Sequence, residues 1–257
     1  MQKFSTRKLP IIGSALLAAA LAVAQAAGAG PVTRVFVVAV SPAQDGAFNQ
    51  GMKSYEKCLG EHGDTRATYA YDAETGDVGR YLFLEPQGAW GDMDAHSPAG
   101  EACHALFEAA VLPHVSQAFS EIAEPDAKDT YMPGGDSDPA PIMWVDAYRI
   151  KPGQSQNFTG GIAKLAAAAA KAHWEGHFSG WDIDGAGQGG ENFVLVWPQK
   201  SWADAGTMAS PSITGLMDST YGKTAAEANY RKVMGAIAQA WSDFWGYDKG
   251  LSFIPGK

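Results

Sequence analysis

Short runs in which apolar and polar residues alternate punctuate the chain, and between them lie longer stretches whose apolar positions recur every three to four residues. Alternation marks strands with one covered face, and the longer period marks helices that lay an apolar stripe on a neighbour. In the first half this predicts strands over Val35 to Val40, Arg66 to Asp72, Arg80 to Glu85 and Asp129 to Met132, with helices over Gln50 to Glu61 and Gly100 to Ile122. In the second half it predicts strands over Trp144 to Ile150, Phe178 to Asp184, Asn192 to Trp197 and Leu251 to Ile254, with helices over Ser155 to His173 and Ala225 to Phe244. Lys151-Pro152-Gly153 ends the strand before it, because proline cannot donate to the ladder and glycine permits the turn. Gly185 to Gly190 joins two strands as a hairpin, and Ala166 to Ala170 gives its helix a flat face that can lie close to a sheet.

Both halves share one order, strand, helix, strand, strand, helix, strand, and short phrases recur along it. PQGAWGD at Pro86 to Asp92 returns as PQKSWAD at Pro198 to Asp204, QAFSEI at Gln117 as QAWSDF at Gln239, and TYMPG at Thr130 as SFIPG at Ser252. FVVAVSPAQDGAF, from Phe36, lines up with DAYRIKPGQSQNF, from Asp146. The expected organisation is a repeat over residues 33–135, a linker over 136–141 and a second repeat over 142–257. A βαββαβ unit is the ferredoxin-like split, which covers one sheet face with two helices and leaves the other bare. Two such units in one chain can cover each other's bare faces, so the predicted class is α+β, with tandem ferredoxin-like repeats forming a single-chain barrel and four helices outside. In the repeated phrase, Pro86 and Pro198 end strands, Trp90 and Trp202 plug a sheet edge or the barrel mouth, and Asp92 and Asp204 accept backbone N–H bonds. The other reading makes the phrase two equivalent ligand pockets, each with a Trp wall and an Asp acceptor.

This plan resembles the dimeric α/β barrel superfamily, and YRIKPGQSQNF, Tyr148 to Phe158, is similar to the opening of NIPSNAP-type or stress-responsive barrel domains. The resemblance implies a range of activities: cofactor-free oxygenases, haem-dependent enzymes and proteins with no assigned activity. It carries no catalytic residue over to this chain, and fold alone does not set chemistry.

The first residues change the picture of where the protein works. Lys3, Arg7 and Lys8 precede an uncharged stretch from Ile11 to Ala24 and a small-residue site at Ala24-Gln25-Ala26, the form of a signal peptide over residues 1–26. The expected product is soluble and periplasmic or secreted, with no membrane insertion after cleavage. Losing three positive charges takes the net charge from −9 to −12, which disfavours nucleic acid as a partner. In an oxidising compartment Cys58 and Cys103 are open to two readings, a disulfide or two buried thiols.

Candidate chemistry concentrates in the second half, which holds seven of the eight tryptophans. Alternation puts Trp144, Asp146 and Tyr148 on one strand face, where Asp146 and Tyr148 replace the apolar Phe36 and Val38 of the first half. If that face looks inward, these residues with Trp181 and Trp197 form a pocket for a small, partly apolar ligand. The competing reading has Asp146 pair with a cation or hydroxyl and fix packing. HWEGH places His173 and His177 four apart, a spacing that could hold a metal or ligate haem, although Gly176 between them weakens the helix. DIDGAGQGGE from Asp182 has Phe193 where a calcium loop needs glutamate, and reads as a hairpin turn. There is no GxSxG elbow. Three functions follow as expectations: a ligand-binding barrel, a non-catalytic envelope interaction protein, and a monooxygenase-like or haem-binding barrel enzyme.

Overall fold

A computed structural model describes residues 31–134, 139–188, 190–207 and 209–256; the expected signal segment lies outside them, as do residues 136–138 of the expected linker. Eight strands form one closed barrel: β1 (Val32–Val40), β2 (Thr68–Ala73), β3 (Arg80–Gly88), β4 (Val115–Tyr131), β5 (Ile142–Ile150), β6 (Phe178–Asp184), β7 (Phe193–Gln199) and β8 (Ile237–Phe253). Around the ring they run β1-β3-β2-β8-β5-β7-β6-β4, every neighbour antiparallel. The strands of the first half occupy the order β4-β1-β3-β2 and those of the second β8-β5-β7-β6, joined along the β2·β8 and β4·β6 seams. Closure removes the open edges that a half-barrel would expose. Alternating directions make β1 and β5 parallel, so the β2–β3 and β6–β7 turns stand at the same mouth.

The helices lie outside. α1 (Asp45–Glu61) packs with α2 (Pro98–Ala110), and α3 (Ser155–Ala172) packs with α5 (Ile213–Tyr221) and α6 (Lys223–Ala236); α4 (Trp202–Ala205) is a single turn. Ser97 caps α2 by accepting from Gly100 N at 2.9 Å, with Pro98 as its first residue. The alanine run of α3 behaves as its composition suggests: Ala166, Ala168 and Ala169 are buried in a core shared with Phe178, Phe193 and Leu195 of the barrel's outer face. A Cβ at Gly51 would collide with the Ala110 carbonyl, and one at Gly161 with the Val233 side chain, so each half closes its helix pair over a glycine. Cys58 of α1 and Cys103 of α2 are joined by a disulfide, which settles the two readings of that pair. Among the described residues no helix is long and apolar enough to cross a membrane.

Two sequence-based helices are too long. The expected helix over Gly100 to Ile122 stops at Ala110, and the one over Ala225 to Phe244 stops at Ala236; each is followed by a 17-residue strand in place of a short terminal one. Pro113, which cannot continue a helix, marks the first boundary, and Gly235 weakens the end of the second. QAFSEI and QAWSDF therefore lie in strands. Their inward positions include Glu121 and Asp243, opposite Val35 and Val145, and an acid on the covered face hides the alternation that would announce a strand.

Candidate functional site

The barrel interior is a cavity of about 300 Å³. Val35 and Val37 of β1, Leu82 and Leu84 of β3, and Val145 and Ala147 of β5 supply aliphatic wall; Tyr69, Tyr71, Trp181, Trp241 and Trp245 supply aromatic wall. A largely apolar cavity with a few polar groups is the usual form of a small-molecule site. Both halves contribute to it. Pro86 and Pro198, the repeated prolines, do not end their strands as expected but lie inside β3 and β7, opposite Thr33 and Met143, and line the cavity end away from the two hairpin turns.

The polar groups gather near the hairpin-turn mouth, at matching registers of β4 and β8, and the two halves treat them differently. In β8, Asp243 accepts from Arg80 Nη2 at 2.8 Å, and the Arg80 guanidinium lies 5.2 Å from the centre of the Trp245 ring. Gly76, at φ 72°, lets the β2–β3 turn close over this pair, since a Cβ there would run into the Asp243 carboxylate. In β4, Glu121 has no cation in ion-pair contact among the described residues. Burial, reinforced by the negative charge of Glu191, pushes its carboxyl up to about 8. Glu121 therefore gains or loses a proton near neutral pH, inside a cavity, beside Val35 and Ala123.

The Arg80–Asp243 pair is mostly buried, with side-chain exposures of 24% and 13%. Replacing Arg80 with Met should cost about 2 kcal/mol, because an unpaired carboxylate remains in the barrel. Urea denaturation checks this, and a second change, Asp243→Asn, should recover most of the loss; a double variant as unstable as the single one would put the cost elsewhere.

Most residues singled out from sequence lie elsewhere. The face of β5 that carries Trp144, Asp146 and Tyr148 looks outward, away from the cavity, and Val145 and Ala147 look in. Trp197 of β7 is also on the outer side, packed 5.0 Å from Phe178, so of the five proposed ligand residues Trp181 alone lines the cavity. Asp146 accepts from Trp144 Nε1 at 3.1 Å and from Trp197 Nε1 at 2.9 Å, which ties two indoles together beneath the outer surface. Tyr148 packs 5.0 Å from Phe158, and burial followed by the Asp146 charge raises its hydroxyl above the usual tyrosine range. The expected inward face was off by one residue, and a shift of one turns every side chain over.

Asp92 accepts from Ala89 N and Asp204 from Lys200 N, each at 2.9 Å, in the corner role expected of the repeated phrase. The tryptophans do not plug the barrel: Trp90 is 39% and Trp202 50% exposed, and Trp202 stands 5.3 Å from Phe244 on the outer side. His173 and His177 do not share a helix face, because α3 ends at Ala172 and His173 takes a left-handed conformation at φ 48°. Neither histidine lines the cavity, and no described cavity-lining residue is a histidine or cysteine, so the histidine ligation expected for a haem is not placed there. The residues that sequence reasoning missed are Glu121, Arg80, Asp243 and Trp241. QAFSEI against QAWSDF held the signal, an acid conserved in place across the two halves, hidden by reading the phrase as helix.

No protein-family profile matches the chain, and no curated protein matches it. Solved structures do. An anthrone oxidase-like protein superposes with a TM-score of 0.55 at 12% identity, over 89% of this chain and 94% of that one. A candidate monooxygenase from Fusobacterium nucleatum gives 0.52 at 11% identity over 85% and 93%, and a mutant chlorite dismutase from Candidatus Nitrospira defluvii gives 0.51 at 7% over 85% and 92%. At these identities the likeness establishes the fold alone, a closed eight-stranded antiparallel α+β barrel with helices outside.

Proposed function

We propose that the protein is an exported barrel, periplasmic or secreted, built as a tandem pair of ferredoxin-like repeats. In this reading the interior between the repeats binds a small, largely apolar molecule that presents one proton-bearing group to Glu121. The observation that carries this is the pairing of an aromatic and aliphatic cavity with one carboxyl poised near neutrality, while its counterpart Asp243 is neutralised by Arg80. Trp181, Trp241 and Trp245 offer ring faces for a planar ligand.

A monooxygenase-like activity is the second reading, and it uses the same carboxyl. Ionised Glu121 would take an acidic O–H or C–H proton from the ligand and hold it as the neutral acid, leaving an electron-rich anion that could pass electrons to O2, the co-substrate this reading requires. The similarity to an anthrone oxidase-like protein and to a candidate monooxygenase is in keeping with this reading at the level of fold.

N-phenyl-1-naphthylamine, an apolar fluorescent amine, tests the site. One molecule should bind per chain and quench tryptophan emission, and Ala147→Trp, which puts an indole into the cavity, should weaken binding at least tenfold. Equal binding by Ala147→Trp with the fold intact by circular dichroism, or no binding between pH 5 and 9, would remove the cavity as the ligand site. Oxygen uptake with phenolic substrates, measured for the protein and for Glu121→Gln, separates the enzymatic reading from simple binding.

A further inference from the structure

We propose that the Cys58–Cys103 bridge is the oxidised form of a metal site completed by His62, so that reduction turns a structural crosslink into a centre for a thiophilic divalent ion such as zinc. His62 follows α1 directly, one turn beyond Cys58, and α2 brings Cys103 up from 45 residues away. The sequence shows Cys58 and His62 at ligand spacing without a third donor; the helix pairing supplies it. His62 Nδ1 lies 3.6 Å from Cys58 Sγ and 3.8 Å from Cys103 Sγ, and the three donor atoms fall within 4.8 Å of one another. Among the described residues this is the one group of three His, Cys or acidic side chains so convergent.

Those distances have the size a metal needs. Tetrahedral zinc, with bonds of about 2.3 Å to sulfur and about 2.1 Å to nitrogen, holds its S and N donors about 3.6 Å apart. Two edges of the ligand triangle thus stand at that length already, and the third, sulfur to sulfur, is shortened by the covalent bond. Opening it to about 3.8 Å completes the triangle. His62 is exposed and borders a polar crevice with Asp64, His96 and Ser97, which gives an ion access and leaves the fourth position to water. Its Nδ1 also stands 2.9 Å from the Cys58 carbonyl oxygen, a contact that orients the ring and would be exchanged for the metal.

The conversion balances as two steps. A thiol reductant attacks the half-buried Cys58 sulfur, since Cys103 is fully buried, and Cys103 leaves as thiolate; a second reductant thiol then resolves the mixed disulfide. Two electrons enter the protein, the reductant leaves as its own disulfide, and the two protein thiols take up two protons. The ion then displaces those protons as both sulfurs ligate as thiolates.

The test uses the full mature chain, reduced anaerobically with tris(2-carboxyethyl)phosphine, then freed of it, and titrated with Co²⁺. One equivalent should bind with thiolate-to-cobalt charge transfer and the intense visible bands of tetrahedral Co²⁺, and added Zn²⁺ should bleach both. The oxidised chain should show neither. His62→Ala, an exposed change that leaves both sulfurs in place, should weaken cobalt binding by roughly tenfold or more. Zn²⁺ should also raise the melting midpoint of the reduced chain and leave that of the oxidised chain where it was. The proposal is overturned if the reduced chain loses its fold by circular dichroism, if no stoichiometric cobalt spectrum develops, or if His62→Ala binds as tightly as the parent.

Discussion

Removing the Cys58–Cys103 bridge by the double change Cys58→Ala and Cys103→Ala should lower the stability of the protein by about 4 kcal/mol. The bridge closes a loop across 45 positions, and the cost follows from the chain entropy that the unfolded state regains when so long a loop is released. The folded state loses little by comparison, because Leu59, Ala99 and Phe253 hold the same corner together through apolar contact. Urea denaturation should show the midpoint falling with a larger m-value, and the melting temperature should drop by roughly 10 °C for a domain of this size. A midpoint unchanged by the double substitution would mean that the unfolded chain is restrained there by something else. The same measurement sets the margin on which any reduced form of the protein must live.

The parts of this architecture written in local pattern were legible, and the parts written in burial were not. β1, β5, β6 and β7 alternate cleanly or carry long apolar runs, and α3 carries an unbroken apolar stripe, so their positions follow from sequence; α1 starts at Asp45, earlier than the Gln50 expected from sequence. β4 and β8 are different. Their solvent-facing N-terminal segments, with alanine, serine and glutamine, carry residues a helix also accepts, and their inward acids break the period-two signal. The candidate site was lost for the same reason. Glu121 and Asp243 sit in those two strands, so misreading the strands as helices removed both acids from the barrel. The choice of Asp146 and Tyr148 failed by parity: alternation fixes which residues of β5 share a face, and only the barrel decides which face is inside. Read as strands, QAFSEI and QAWSDF each place an acid at the same register, Glu121 opposite Val35 and Asp243 opposite Val145, and of the two only Asp243 has an ion-pair partner among the described residues.

That difference also bears on how the barrel carries buried charge. Arg80 comes from the strand after the β2–β3 turn and Glu191 from the end of the β6–β7 turn, so one mouth carries both a cation and an anion beside the inward acids. On one side the ion pair fixes charge in place; on the other, burial and then the charge of Glu191 push the Glu121 carboxyl up to about 8. The arrangement concentrates the cost of polar burial at Glu121.

The protein should accordingly be more stable in mild acid than at pH 8 to 9. Glu121, pushed up to about 8, and Glu56 and Asp129, each pushed up to about 7, are all raised first by burial and then by neighbouring carboxylates. The folded chain keeps these protons at pH values where the unfolded chain has released them. Stability is thus fully present below the unfolded values near 4 and declines as pH rises through 7 and 8. Below about pH 4 an opposing loss sets in at Asp64: burial pushes its carboxyl up, but hydrogen bonds from Arg66 and Ser97 hold it below the usual range, and protonation forfeits them. Each pH unit across which one such group is mismatched is worth about 1.4 kcal/mol. Partial solvent access at Glu121 reduces its share to on the order of 3 kcal/mol between pH 5 and 9. Glu121→Gln should remove that share, raising stability at pH 9 relative to the parent and flattening the upper part of the profile, while the decline near pH 7 from Glu56 and Asp129 persists. Urea midpoints at pH 5, 6, 7, 8 and 9 read both effects. A parent profile that is flat, or a Gln variant that keeps the full slope above pH 7, would show that Glu121 is ionised and solvated at neutrality, and would take away its role as the proton-exchanging group of the cavity.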